Sequence, residues 1–184
     1  MQNSIQLHTP LTKDDMRVFN IGDILELTGT IYTARDAAHK RIQAALAEKK
    51  NLPMDFTNQL LFYAGPCPAK PGRAVGPIAP TTSMRMDGFV EMMFRLGVLG
   101  MIGKGDRSDF VPGLCKKFGG VHLLGVGGAS ALISTRMKSC VVVAYEDLGT
   151  ESIKRLEVEK LRLVVGIDAK GRVFQDEQKK LYKR

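Results

Sequence analysis

The sequence predicts a single mixed α/β domain, and three observations carry that prediction. Short apolar runs rich in β-formers recur along the chain. Glycine- or hydroxyl-rich turns come after several of them and lead into segments with helical spacing. No repeat, long linker or biased tract interrupts the series. At 184 residues the chain is long enough to bury one real core.

"DILELTGTIY" (23–32) alternates partly and reads as the first clear strand. It runs into "TARDAAHKRIQAALAEKK", where Ala34, Ala38, Ile42, Ala45 and Leu46 share one helical face. Thr33 is the expected N-cap, with Asp36 as the acidic partner of a capping box. "QLLFYAGP" (59–66) is a second strand, ended by proline. "MDGFVEMMFRLG" places Met86, Phe89, Val90, Met93 and Phe94 at helical spacing, and Gly97 marks the stop. "VLGMIG" is a short buried strand, and "LCKKF" reads as helical. "VHLLGVGG" and "CVVVAYED" are two further strands, separated by the small-residue helix "ASALISTRM". "RLEVEKLRLVVGIDAKGRVF" reads as strands around a D-A-K-G turn, and a short basic tail at about 175–184 is expected to be a solvated end. The expected domain spans 1–184.

Composition narrows the function. No apolar run approaches the roughly 20 residues of a membrane span, so no membrane is expected. "MQNSIQLHTPLTKDD" has neither a basic start nor an apolar signal core, which predicts a cytoplasmic protein. Cys67, Cys115 and Cys140 are odd in number and widely separated, against a disulfide framework. They read as structural thiols and suggest no metal site. The formal net charge of +8 fits nucleic acid, an acidic partner or an anionic substrate. No RNP-like aromatic motif or helix-turn-helix signature accompanies it, so nucleic acid is not the expected partner.

Four motifs bear on chemistry. In "GPIAPTTSMRMD" (76–87) two prolines stiffen a loop that delivers Thr81, Thr82 and Ser83 to the start of a helix, with Arg85 in its first turn. A cation there opposes the helix dipole, which makes sense if a carboxylate sits beside it. The bland alternative is a Ser/Thr cap with a surface arginine. "TARD" repeats the theme with Arg35, and then comes His39, which is read as structural or exposed unless other evidence makes it catalytic. "GKGD" sets Lys104 between two glycines; it lacks P-loop spacing, and a surface turn is the plain reading. "GVGGAS" (125–130) comes after a strand and opens a helix as a dinucleotide fingerprint does, with Glu146 and Asp147 about 20 residues on. Ser130 stands at its third glycine position, and a nucleotide-binding module is the rival reading. Should the loops of Arg35, Arg85 and Lys104 converge, two arginines and a lysine would hold both ends of a small dicarboxylate.

Taken together, "LTGTIYTARDAAHKR", "GPIAPTTSMRMD", "IGKGD", "GGASAL" and "AYEDLG" closely resemble the C-terminal (beta) part of iron–sulfur class I fumarases and L-tartrate dehydratases. The motifs occur in order over about residues 10–170. The resemblance implies an α/β fold of the three-layer swivelling β/β/α type, similar to the mobile domain of aconitase. It implies the beta subunit of a two-subunit hydro-lyase that hydrates fumarate to L-malate, the alternative being L(+)-tartrate dehydration. A [4Fe–4S] cluster would be held by an alpha subunit and not by this chain, in a heterotetramer of two alpha and two beta. Matched onto this sequence, the family's substrate-binding arginines fall on Arg35 and Arg85 and its lysine on Lys104. Its candidate base, or positioning hydroxyl, falls on Thr81, with Thr82 beside it. One departure is Ala79, where the family more often has glycine before the proline.

Overall fold

Strands that read as apolar on both faces need cover on both faces, and the fold supplies it by closing a sheet on itself. In a computed structural model describing residues 4–182, seven strands form one sheet: β1 (Ile5–His8), β2 (Ile24–Thr33), β3 (Leu60–Phe62), β4 (Gly100–Gly103), β5 (Val121–Leu124), β6 (Met137–Ala144) and β7 (Ile153–Ile167). Strands β2, β3, β4 and β5 run parallel in that order. The long β7 pairs antiparallel with β5 at Val164–Ile167 and with β2 along Ile24–Tyr32, so β2, β3, β4, β5 and β7 close a barrel-like ring. β1 extends the sheet parallel to Leu25–Thr28, and β6 lies antiparallel to the first half of β7.

Alternation sorts side chains to the two sides of this wall. Leu25, Leu27, Ile31, Leu60, Phe62, Ile102, Leu123, Leu156, Leu161 and Leu163 belong to one buried cluster. Leu61, Tyr63 and Met101 join a second, with Ala38 and Ile42 of α2 (Asp36–Ala47), Val90 and Met93 of α3 (Val90–Arg95), and Val111 and Cys115 of α4 (Val111–Phe118). The remaining helices are α1 (Lys13–Arg17), α5 (Ser130–Ser134) and α6 (Phe174–Tyr182). Burying a side chain of this size contributes about 1.5–3 kcal/mol, so the two clusters dominate stability. A bulge in β2 between Leu27 and Gly29 uses Gly29 at φ 115, where a side chain would run into Thr9.

Several local expectations need correction. Thr33 does not cap α2; it ends β2, and its hydroxyl donates to Ser152 O at 3.2 Å and accepts from Lys154 N at 3.0 Å. The N-cap is Arg35, without a side-chain cap, and no capping box forms at Asp36. Pairing in the second strand stops at Phe62, four residues before the proline. The helix expected from Met86 opens as a 3₁₀ segment, Ser83–Phe89, before α3 begins. Gly97 does end that helix, at φ 92. The D-A-K-G turn forms, held by Asp168 accepting from Lys170 N and Arg172 N, each at 3.0 Å. The segment after this turn does not form a second strand: one bridge pairs Ile167 with Val173, and α6 starts at Phe174. The basic tail is therefore helical as far as Tyr182, and Lys183 and Arg184 lie outside the described residues.

Candidate active site

Parallel strands place the loops at their carboxyl ends on one side of the sheet. "TARD" leaves β2, "YAGP" leaves β3, "GKGD" leaves β4 and "GVGG" leaves β5, so these loops share the carboxyl mouth of the ring. The carboxyl ends of parallel strands are where α/β sheets, open or closed, bind ligands. The segment that enters β7, including Thr150 and Glu151, arrives there as well, because β7 runs the other way.

The "GPIAPTTSMRMD" loop is stitched across the mouth by its backbone. Ala64 bridges Pro80, and Thr82 bridges Lys104. Thr81 N donates to Tyr63 O at 2.7 Å, and Ser83 N donates to Lys104 O at 2.9 Å. Thr81 is half-buried and Thr82 exposed, while Ser83 is buried with its hydroxyl 3.0 Å from Nε2 of His122. The Ser/Thr cap offered as the bland reading does not form: Thr82, the N-cap of the 3₁₀ segment, makes no side-chain cap bond. Gly103 is required here, since a Cβ at that position would collide with Ser83 Oγ.

The two arginines meet. Arg85 Nε donates to Asp36 Oδ1 at 2.9 Å, and Arg35 Nη2 lies 3.9 Å from Asp36 Oδ2. Arg35 Nη2 also lies 3.3 Å from Glu151 Oε1, while the other oxygen of Glu151 accepts the Ala37 N–H at 3.0 Å and so caps α2. Each of these helix-start cations thus has a protein carboxylate beside it, Asp36 for Arg85 and Glu151 for Arg35. Lys104 is half-buried against the glycine loop: a Cβ at Gly127 would stand 3.5 Å from Lys104 Cδ. No ion pair links Lys104 to an acid or to the arginines' carboxylates among the described residues. The backbone ladder, not a side-chain contact, ties it to the threonines.

His39 is fully buried, with Nδ1 2.8 Å from Arg35 O and its ring stacked on Phe89. Burial pulls its pKa down to about 4, so it is neutral and structural near pH 7. "GVGGAS" lacks the frame a dinucleotide needs. It leads through the five-residue α5 to β6, which pairs antiparallel with β7 and never lies beside β5. Its glycines instead admit Pro80 and Lys104 at close range.

One pair escaped the sequence reading. Asp87 and Arg107 form a buried ion pair, Nε to Oδ1 at 2.6 Å, with side chains 4% and 2% exposed. Asp87 Oδ2 also accepts Ser108 N at 2.6 Å. This clamp ties the loop bearing Arg85 to the loop bearing Lys104. Both residues sit inside the quoted motifs or directly after them, but charge alone does not announce burial.

No group of three or more His, Cys, Asp or Glu able to hold a metal exists among the described residues. Cys115 is buried in the helix-covered cluster, Cys67 is exposed, and Cys140 is half-buried against the other cluster, so the three thiols do not fit one iron–sulfur cluster. No described helix is long and apolar enough to cross a membrane.

Comparison with known proteins identifies what the chain is similar to. A family model described as fumarase C-terminus matches residues 1–178. The chain is 37% identical over 152 residues to the aerobic class I fumarate hydratase of Escherichia coli K12, covering 82% of this chain and 28% of that protein. It is 38% identical over 152 residues to the mitochondrial fumarate hydratase 1 of Leishmania major, again 82% of this chain and 28% of the relative. It is 33% identical over 181 residues to the L(+)-tartrate dehydratase subunit beta of E. coli K12, covering 96% of this chain and 89% of that subunit. The chain thus spans little more than a quarter of the fumarate hydratases it matches and most of the tartrate dehydratase subunit.

Proposed function

The chain belongs to the fumarase C-terminal family, and from that membership we propose that it is the beta subunit of a two-subunit hydro-lyase that reversibly hydrates fumarate to L-malate. The observation that carries the proposal is the meeting of Arg35 and Arg85, from loops 50 residues apart in sequence, at the one carboxylate of Asp36. Two guanidinium groups brought to one point at the carboxyl mouth suit a small dicarboxylate.

In this reading Arg85 and Arg35 take one carboxylate of the substrate and Lys104 the other. The stitched loop holds Thr81 toward the carbon that loses its proton. An ordinary threonine hydroxyl is a poor base, so Thr81 either accepts that proton with activation from the partner or positions the substrate by donating to it; Thr82 supports it. The [4Fe–4S] cluster of the reaction belongs to an alpha subunit, since the cysteines here do not fit one. We assign the assembly as two alpha and two beta chains in the cytoplasm. The barrel-like domain serves as the swivelling element, in the manner of aconitase's mobile domain, and closes its carboxyl mouth over the partner.

The test is to purify the chain anaerobically with its alpha partner and compare Arg85→Ala with wild type on L-malate. A lost charged hydrogen bond costs about 1.5–3 kcal/mol, so kcat/KM is expected to drop roughly 10- to 150-fold. An unchanged kcat/KM sinks the assignment. One observation favours a second reading: the relative that this chain spans almost end to end acts, by its name, on L(+)-tartrate. Turnover measured side by side on L-malate and L(+)-tartrate separates the two.

A further inference from the structure

Asp36 sits where a substrate-binding cleft has least use for a negative charge, and its geometry explains why it is there. A guanidinium offers five N–H donors in a rigid fork, and its outer edge, formed by the two Nη groups, is suited to grip a carboxylate. A free arginine on a flexible stem presents that edge in many directions and loses rotamer entropy when it binds. Arg85 is not free in this sense. Its Nε–H is taken by Asp36 Oδ1 at 2.9 Å, although its side chain is 49% exposed. With Nε engaged, both Nη groups remain for a ligand.

Asp36 is itself anchored by its place in the fold. It is the first residue of α2 and only 22% exposed. Arg35 Nη2 stands 3.9 Å from Oδ2, an oxygen that is buried and accepts no hydrogen bond. Glu151 fixes the start of the same helix through Ala37 N and reaches the same Nη2 of Arg35 at 3.3 Å. Asp36 therefore registers the "TARD" loop against the "TTSMRMD" loop by one short contact between side chains 49 residues apart.

We propose that Asp36 is the positioning residue for Arg85, aiming its outer edge at the substrate carboxylate; this rests on the reading that Arg85 binds substrate. Asp36 works through orientation, and its charge is secondary. An asparagine retains an oxygen that accepts from Nε, whereas an alanine retains nothing.

The experiment measures kcat and KM for L-malate in the assembled enzyme for Asp36→Ala, Asp36→Asn, Arg85→Ala and the double variant Asp36→Ala/Arg85→Ala. Asp36→Ala is expected to raise KM about tenfold or more with kcat within threefold of wild type. Asp36→Asn is expected to stay within about threefold in KM. In the double variant, Asp36→Ala is expected to add less than twofold to the loss from Arg85→Ala. Should Asp36→Ala fail to assemble, Asp36→Ser is read in its place with the same expectations. Three results overturn the proposal: unchanged KM in Asp36→Ala while Arg85→Ala is impaired; tighter binding in both Asp36→Ala and Asp36→Asn, the signature of a merely competing charge; or full additivity in the double variant. An Arg85→Ala enzyme indistinguishable from wild type instead removes the functional reading beneath it.

Discussion

Replacing Asp87 with alanine tests how the mouth of the ring is held together. Asp87 and Arg107 are almost fully buried, and Arg107 Nε meets Asp87 Oδ1 at 2.6 Å. Removing one member of a buried pair leaves the other charge without compensation, at a cost of about 3–5 kcal/mol. Ser108 N, on a half-buried residue, also loses its acceptor, at a further cost of about 1 kcal/mol. Against a total stability of about 5–15 kcal/mol, this is a large fraction. In urea, with a slope of about 2 kcal/mol per molar, the combined loss of about 4–6 kcal/mol is expected to lower the midpoint of unfolding by about 2–3 M. The double replacement Asp87→Leu with Arg107→Met removes both charges and restores apolar volume, and it is expected to recover to within about 2 kcal/mol of wild type. An Asp87→Ala loss below about 1 kcal/mol, or a double variant no better than the worse single one, refutes the argument that an uncompensated buried charge is the cost.

Protonation supplies another test. Burial lowers the pKa of His39 to about 4 and holds His122 well below its ordinary 6.5, so between pH 6.5 and 5 the unfolded chain binds two protons that the folded chain does not. Stability is thus complete above pH 6.5 and falls on acidification by about 1.4 kcal/mol per pH unit for each histidine; urea titrations at pH 7 and pH 5 are expected to differ by about 4 kcal/mol, and equal midpoints contradict their neutrality. Thiol labelling with a maleimide is expected to modify the exposed Cys67 first, and Cys140, raised by burial, more slowly. Cys115, pushed up to about 12, is expected to react only on unfolding, so three fast thiols in native protein argue against this core.

Much of the fold was legible because local chemistry and final environment agree. Ala38 and Ile42 were placed on the inner face of a helix by spacing, and both are fully buried there. Met86, Val90 and Met93 behave alike. Misreadings fall where a distant partner overrides a local pattern. Thr33 has the composition of an N-cap, yet its hydroxyl is claimed by Ser152, 119 residues away. "RLEVEKLRLVVGI" alternates as a strand should, but nothing local says that it pairs with β2 on one edge and with β5 and β6 on the other. The residues after D-A-K-G make one bridge, Ile167 to Val173, before the chain turns helical at Phe174, whose ring packs over Gly22. Around the candidate site, the two arginines are legible as cations at unfavourable helix starts, and Lys104 only as a lysine between two glycines. Asp36 is visible in "TARD" but reads as a capping acid, and Glu151, at the end of a 3₁₀ segment more than 100 residues downstream of Arg35, carries no motif that binds it there.

The ring is sealed by the strand that comes last in the sequence. Until Ile167 has left the ribosome, Ile24–Thr33 and Val121–Leu124 each carry a bare hydrogen-bonding edge that β7 will later cover. Such edges are the templates on which nascent chains aggregate or engage chaperones. Native structure therefore forms only after most of this chain has been synthesised, and a ladder of ribosome-arrested lengths should acquire protease resistance abruptly once residue 167 clears the exit tunnel.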